Sequence, residues 1–492
     1  MLVSVKKMLD ELEKNNIQYC HWKSNEHIRP ALNGDTDLDI LFLPEQRVLI
    51  DRVLSECGLK RFRATPLMQY NAIEDYIGFD EKTAKIWHLH THYRMTLGEK
   101  HLKGYTITTW GPKIIENKIW NPEGIYTSSF EDEYIMFMVR NSLKLRWRDY
   151  NRSLGKDDVK ELLWLKEKIN NDKLIIRLDQ FLSDAAKKEI LKLTTLELSN
   201  KNQLIPLKNI LRKELNVFTG YSKGHSWWLR SKRELFWLFG AVSRRTGLDT
   251  NNPNRRLSPA GGVAIAFLGS DGAGKTTTIK YVKKELGKKL DVKIIYLGSG
   301  DGSSSLLRKP MKMIAKKVGG KGLGYSVAKE YSQNNKNDVS LKGRLYSMAK
   351  IMWADTLAKE KKKKLKKVTK ARNNGMIILL DRYPQIEVDG YNDGPLLSKY
   401  IKNGSGILYK KAVREFDIYR SAYLNPPDLT LKLLVPTQLA TQRKPEMSVE
   451  EIENKKAAVI KMKPSENSVI IDTSANLTES LRNVMNEIWK VI

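Results

Sequence analysis

Apolar positions recur at helical spacing through 2–15 and 44–58 and flank a short run, Thr36–Phe42, in which apolar and acidic residues alternate. The pattern predicts helix, strand, helix. Residues 85–95 (KIWHLHTHYRM) predict another strand and Thr106–Trp110 a further one. From Phe130 to about Leu215 the spacing is helical, with a basic stretch at Arg140–Arg152. A different pattern begins at Val263, where short apolar runs (VAIAFL, VKIIYL, MIILLD, LTLKLLV, SVIID) alternate with helical segments. Such alternation predicts a parallel sheet covered by helices.

Between these halves, residues 221–260 hold eight Lys/Arg, six aromatics and two acids, and end in Pro/Gly/Asn-rich sequence that reads as a boundary. The expected organisation is an α+β domain over 1–125, a helical extension over 126–220, a basic-aromatic linker over 221–260 and an α/β domain over 261–492. A Gly-rich connection is expected at Gly319–Gly324.

Composition narrows the setting. At 492 residues the chain exceeds one ordinary core, and 41% hydrophobic residues suffice to fill several. Two cysteines, Cys20 and Cys57, form no disulfide framework, which suits a reducing cytoplasm. The first residues read as an amphipathic helix with acids rather than a leader, and no run reaches the roughly 18 apolar residues of a membrane span. The formal charge of +30 attracts polyanions: nucleic acid, an anionic membrane surface, nucleotides or phosphorylated glycans. A lysine-rich proteome accounts for such a charge equally well.

GSDGAGKT at 269–276 fits G-x-x-x-x-G-K-[ST], with β-type residues before it and a helical segment after. In that arrangement Gly269, Asp271, Gly272 and Gly274 let backbone N–H groups close on phosphate oxygens at a helix N-terminus. Lys275 would reach the terminal phosphates of ATP. Thr276 would place a hydroxyl on Mg²⁺, with Thr277 beside it. MIILLDRYPQ (376–385) ends a strand in Asp381, a carboxylate to hold the metal or orient the acceptor, followed by Arg382, whose planar fork suits an acceptor phosphate. Arg443 and Lys444, in a basic segment after the LTLKLLV strand, could close over ATP. For the later lysines, Lys455, Lys456, Lys461 and Lys463, a solvated helix face is the simpler reading.

These motifs, in this order, make residues 263–492 resemble the thymidylate kinase family of nucleoside monophosphate kinases. The resemblance implies that Arg382 binds the acceptor phosphate. Because Gly272 replaces an arginine inside the loop, it also implies a catalytic cation from the lid, here Arg443, and an adenine contact at Thr473–Asn476. Two segments depart from the family: LGSGDGSS (297–304) replaces its Arg-Glu-Pro-Gly signature, and PQIEVDGYNDGPLL (384–397) lacks its thymine-recognising pattern. The resemblance therefore implies ATP-dependent phosphoryl transfer to a phosphate- or hydroxyl-bearing acceptor, with dTMP one alternative and a sugar or glycan of surface-polysaccharide assembly another. Asp393 reads either as an acceptor ligand or as a turn residue.

In the first half, Asp37 and Asp39 lie at i, i+2 and point to one strand face, as a divalent-metal pair would. With Lys23–Ser24 upstream they resemble the Gly-Ser…Asp-x-Asp signature of nucleotidyltransferases, with Lys23 in place of glycine. The third carboxylate usual there has its nearest counterpart in His88 and His90. A metal site, a degenerate nucleotide site and a plain acidic strand end all remain open, as does a nucleic-acid-directed or nucleotide-sensing role. His88, His90, His92 and His101 crowd fourteen residues, without the cysteines or paired spacing of a zinc site. SWWLRSKRELFWLFGAVSRR (226–245) suits a membrane interface or a packed linker helix, and KEKKKKLKKVTKAR (359–372) suits a solvated helix face.

Overall fold

The computed structural model describes residues 1–246, 253–258, 261–298, 341–389, 393–403, 405–474 and 476–492. The Gly-rich stretch 319–324, residues 299–304 and residues 390–392 lie outside the described residues. The chain forms two compact units, Met1–Thr250 with Asn254–Pro259, and Asn251–Pro253 with Ala260–Ile492.

The first unit is built on strands β1 (Tyr19–His21), β2 (Leu38–Phe42), β3 (Lys60–Ala64), β4 (Ile73–Asp80), β5 (Lys85–His92), β8 (Ile119–Asn121), β9 (Ile125–Thr127) and β10 (Arg256–Leu257). They form one mixed sheet in the order β10-β3-β4-β5-β2-β1-β9-β8, and β6 (Met95–Leu97) pairs β7 (Tyr105–Ile107) apart from it. Strand alternation sorts the side chains. Tyr19, Leu38, Ile40, Phe42, Trp87 and Leu89 join one core with the helices Val3–Lys14 and Arg47–Glu56. Cys20 and Leu41 face a second core built around the helix Phe130–Lys144. Asp39 shares the parity of Leu41, so its carboxylate belongs to the second face.

Helix Phe130–Lys144 is buried on nearly every side, as an apolar helix inside a bundle must be. Its first turn is acidic, and each acid is matched. Ser129 caps Asp132 N–H, Arg177 grips Asp132 at 2.6 and 2.8 Å, and Glu133 accepts from Asn25 N–H and Nδ2 at 2.8 and 2.7 Å. Helices Lys156–Lys168, Asn171–Phe181, Asp184–Thr195 and Ile205–Glu214 complete the layer.

Within residues 221–260, Lys223–Thr246 is a single 24-residue helix. Arg233 anchors it, donating to the carbonyls of His101, Leu102 and Gln69. The sequence pattern does not predict β3 and β4, because both carry charged residues through the run; Arg61 and Glu74 then pair across the two strands.

The second unit matches the α/β expectation. Strands β11 (Val263–Gly269), β12 (Val292–Tyr296), β13 (Ile377–Asp381), β14 (Leu429–Leu434) and β15 (Ser468–Asp472) form a wholly parallel sheet in the order β12-β13-β11-β14-β15. Central β11 is buried at every position, which explains its uninterrupted apolar run. Chain order reverses between β11 and β13, and the carboxyl ends of such neighbouring strands form the crevice where ligands bind. Among the described residues, no helix is long and apolar enough to cross a membrane.

Candidate active site

In the second unit, β11 ends at Gly269 and the chain turns through 270–274 into helix Lys275–Leu286. The glycines have separate duties. Gly272 and Gly274 adopt φ of +83° and +81°, which side-chain-bearing residues adopt only under strain. At Gly269 a Cβ would meet Leu433 O at 2.8 Å, so the loop is also packed against β14. Lys275 Nζ donates to the carbonyls of Gly269 and Ser270, both at 2.8 Å. Burial, then the nearby Arg382 guanidinium, lowers its ammonium to about 8.

Asp381 lies level with Phe267 on β11 and Tyr296 on β12, at the carboxyl edge of the sheet. Burial raises its carboxyl above the usual range, opposed by Lys275 and Arg382. Arg382 follows with φ +71°, and its N–H donates to Phe267 O at 3.1 Å. That bond holds the strained turn. The guanidinium reaches Asp271 at 3.3 Å and Asp393 at 3.7 Å. Burial works against its charge, yet Asp393 and Asp271 outweigh it, so the pKa rises.

Arg443 ends helix Thr437–Arg443 and donates to Gly272 O at 3.0 Å. Thr473 Oγ1 lies 3.2 Å from Ala273 O, tying β15 to the loop. Gly272, Lys275, Thr276, Asp381, Arg382 and Arg443 thus line one cavity of about 680 Å³, together with Asp271, Gly274, Thr277, Tyr296, Lys444 and Thr473.

Four residues take different places from those the sequence suggests. Lys455 is no bystander on a solvated face: its Nζ binds Asp271 at 2.8 Å and Glu451 at 3.0 Å. Against the burial that would raise it, Lys455 and Arg382 bring the Asp271 carboxyl down to about 2. Asp393 is buried and paired at 3.1 Å with buried Lys361, which removes it from direct contact with a dissolved acceptor. Lys361 belongs to the lysine run 359–372, so that helix is not solvated on all sides. Lys364 likewise turns inward, to Tyr296 O at 2.7 Å.

In the first unit, parallel pairing sets Asp39 opposite His90 and Leu41 opposite His92. His88, His90 and His92 line one face with ring centroids 5.4 and 4.7 Å apart, the first pair tilted and the second edge-on. Asp39 Oδ1 contacts Lys23 Nζ at 2.8 Å, His90 Nδ1 at 3.0 Å and His92 Nε2 at 3.2 Å. Burial would raise this carboxyl, but Lys23 and both imidazoles hold it well below the ordinary range. Burial lowers His90 and His92, leaving both imidazoles neutral near pH 7.

Asp37, just before β2, lies 2.9 Å from His88 Nδ1. On the other ring nitrogen His88 meets Asp75 at 2.8 Å, and Asp75 also meets Arg256 at 3.0 Å. Sequence reading missed Asp75, whose place beside the histidines follows only from the β4–β5 pairing. His101 lies apart, against Trp237. Asp39, His90 and His92 offer three ligand atoms within 4.8 Å of one another. That donor set suits an imidazole-preferring cation better than magnesium, which favours oxygen.

No family model matches the chain. It is 25% identical over 254 residues to the uncharacterized ATP-binding protein YghR of Escherichia coli K12, covering 50% of this chain and 94% of YghR. It is 27% identical over 194 residues to the uncharacterized ATP-binding protein YghS of the same strain, covering 39% of this chain and 77% of YghS. Among solved structures, a thymidylate kinase from Ehrlichia chaffeensis aligns at 13% identity and TM-score 0.23 over 46% of this chain and 98% of its own. A deoxyadenosine kinase from M. mycoides aligns at 16% and 0.28 over 46% of this chain and 100% of its own.

Proposed function

We propose that the second unit is an ATP-dependent phosphotransferase acting on a phosphate- or hydroxyl-bearing acceptor. The observation that carries this reading is the convergence of the 269–276 loop, Lys275, Asp381, Arg382 and Arg443 on one cavity. The similarity to YghR and YghS, both ATP-binding proteins, supports the donor. Backbone N–H groups of the loop and Lys275 hold the donor phosphates. Arg382 grips the acceptor side, and Arg443 supplies positive charge where the transferred group becomes most negative. The Thr276 hydroxyl and the Asp381 carboxylate are hard oxygen donors lining the same cavity, a set that fits Mg²⁺, which would neutralise phosphate charge there.

The acceptor is proposed to be a sugar or glycan of surface-polysaccharide assembly rather than dTMP, because the acceptor-side segments 297–304 and 384–397 depart from the thymidylate kinase pattern. An ATP-consumption screen over dTMP, other nucleotides, sugars and lipid-linked glycans tests this, with Lys275→Ala as control. Turnover on dTMP alone would overturn the glycan reading, and equal hydrolysis by both proteins would overturn the kinase reading.

Lys275 also predicts a pH dependence. With its ammonium near 8 in the ligand-free protein, ATP selects the protonated form. ATP affinity is expected to hold below pH 8 and to fall as pH rises through it. Calorimetry in buffers of different ionisation heat should register proton uptake on binding near pH 8.

For the first unit we propose a degenerate nucleotidyltransferase-like site, a reading supported by Lys23, whose ammonium occupies the Asp39 carboxylate that would help hold a divalent cation. Lys23→Met is expected to strengthen zinc binding about tenfold or more, read by titration calorimetry, because the competing charge is gone. Unchanged affinity would show that Lys23 and metal do not compete.

A further inference from the structure

From the helix Lys223–Thr246 we infer that the first unit docks on an anionic lipid bilayer surface. The helix is amphipathic in the inverted sense for one exposed to water. The polar groups at its middle turn inward, while Lys223 and Lys232 stay exposed: Arg233 is buried on three carbonyls, Arg230 pairs Glu99 at 2.6 Å, and Glu234 pairs Arg146 and Arg148. Its apolar groups turn outward. Trp228, Leu235, Phe239 and Val242 recur at helical spacing on one face and are 50%, 67%, 57% and 51% exposed, with Trp227 beside them at 63%. A helix bathed in water on that side would carry the opposite pattern.

Charge identifies the occupant. The helix contains six Lys/Arg and one acid, Glu234, in a chain of net charge +30. Two of its tryptophans carry an ammonium over the ring, Lys232 over Trp228 at 4.6 Å and Lys100 over Trp237 at 5.5 Å. Paired aromatics and cations fit the headgroup layer of a bilayer, where rings rest at the apolar boundary and ammonium groups meet lipid phosphates. Nucleic acid would use the cations but leave the aliphatic side chains Leu235 and Val242 in water. At 24 residues the helix is about 36 Å long, enough to lie along a surface.

The test sediments the full chain with vesicles of pure phosphatidylcholine, and with vesicles of two parts phosphatidylcholine to one part phosphatidylglycerol. Co-sedimentation is expected only with the anionic vesicles, weakening as salt rises, together with a blue shift of tryptophan emission. The Trp228→Ser/Leu235→Ser/Phe239→Ser variant replaces exposed side chains, so its melting temperature and ATP turnover should match wild type while its partition coefficient falls about tenfold or more. The inference is overturned if wild type stays in solution with anionic vesicles, or if the variant sediments equally. It is also overturned if the substitutions only convert a dimer to a monomer, or if RNA is bound in place of vesicles. Because ATP turnover is read separately, failure here leaves the phosphotransferase reading standing.

Discussion

Lys275→Ala is expected to lower ATP turnover by about 10²–10³-fold while leaving the protein folded. The ammonium is already held over the loop by the carbonyls of Gly269 and Ser270, so no ordering step is needed when phosphate arrives. Removing it leaves the loop's N–H groups able to hold a nucleotide but takes away the cation that follows charge onto the transferred group. The loss should therefore appear mainly in kcat and less in the affinity for ATP. Steady-state assays with the best acceptor, alongside nucleotide titrations, separate the two. A loss confined to ATP affinity, with kcat unchanged, would mean that Lys275 only binds.

Asp393→Ala is expected to destabilise the second unit by about 3–5 kcal/mol, because it strands a buried ammonium. Lys361 and Asp393 have side chains only 3% and 1% exposed. At this size of domain the thermal midpoint should fall by roughly 10 °C. The double replacement Lys361→Met/Asp393→Leu removes both charges and should return stability to within about 1 kcal/mol of wild type. It should not restore the acceptor site, since Arg382 loses the carboxylate that flanks it at 3.7 Å. A double variant with normal melting and a raised acceptor KM is the expected result. A normal KM would sever Asp393 from Arg382.

The phosphate loop was legible because everything it needs is local: glycines where φ turns positive, a lysine at the helix start, an apolar strand before it. The parallel sheet was legible for the same reason, since strands buried on both faces read as unbroken apolar runs. What escaped depends on pairings between distant segments. Asp75 sits in Ile-Glu-Asp-Tyr, an unremarked stretch of strand until β4 lies beside β5. Lys361 is one lysine in a long run, and only packing against Asp393 distinguishes it from the solvated lysines around it. Lys455 looked like the outer face of a helix, and its ion pair with Asp271 spans 184 residues of sequence. In the Lys223–Thr246 helix the charges and apolar residues interleave along the sequence. Only the anchoring of Arg233 reveals which side faces outward.

Asp271 gives the cavity a property that neither its glycines nor its lysine confers. Its carboxylate holds Arg382 and Lys455 at once, so without ligand the mouth of the site is electrically satisfied. An arriving polyphosphate must trade places with that carboxylate rather than fill an unmet demand. A lone anion such as chloride or acetate makes too few contacts for the trade to be favourable, whereas a chain of phosphates would have oxygens enough for the loop and both cations together. The loop's own acid is thus expected to act as a filter, keeping a strongly basic protein from clogging its site with the small anions of its surroundings.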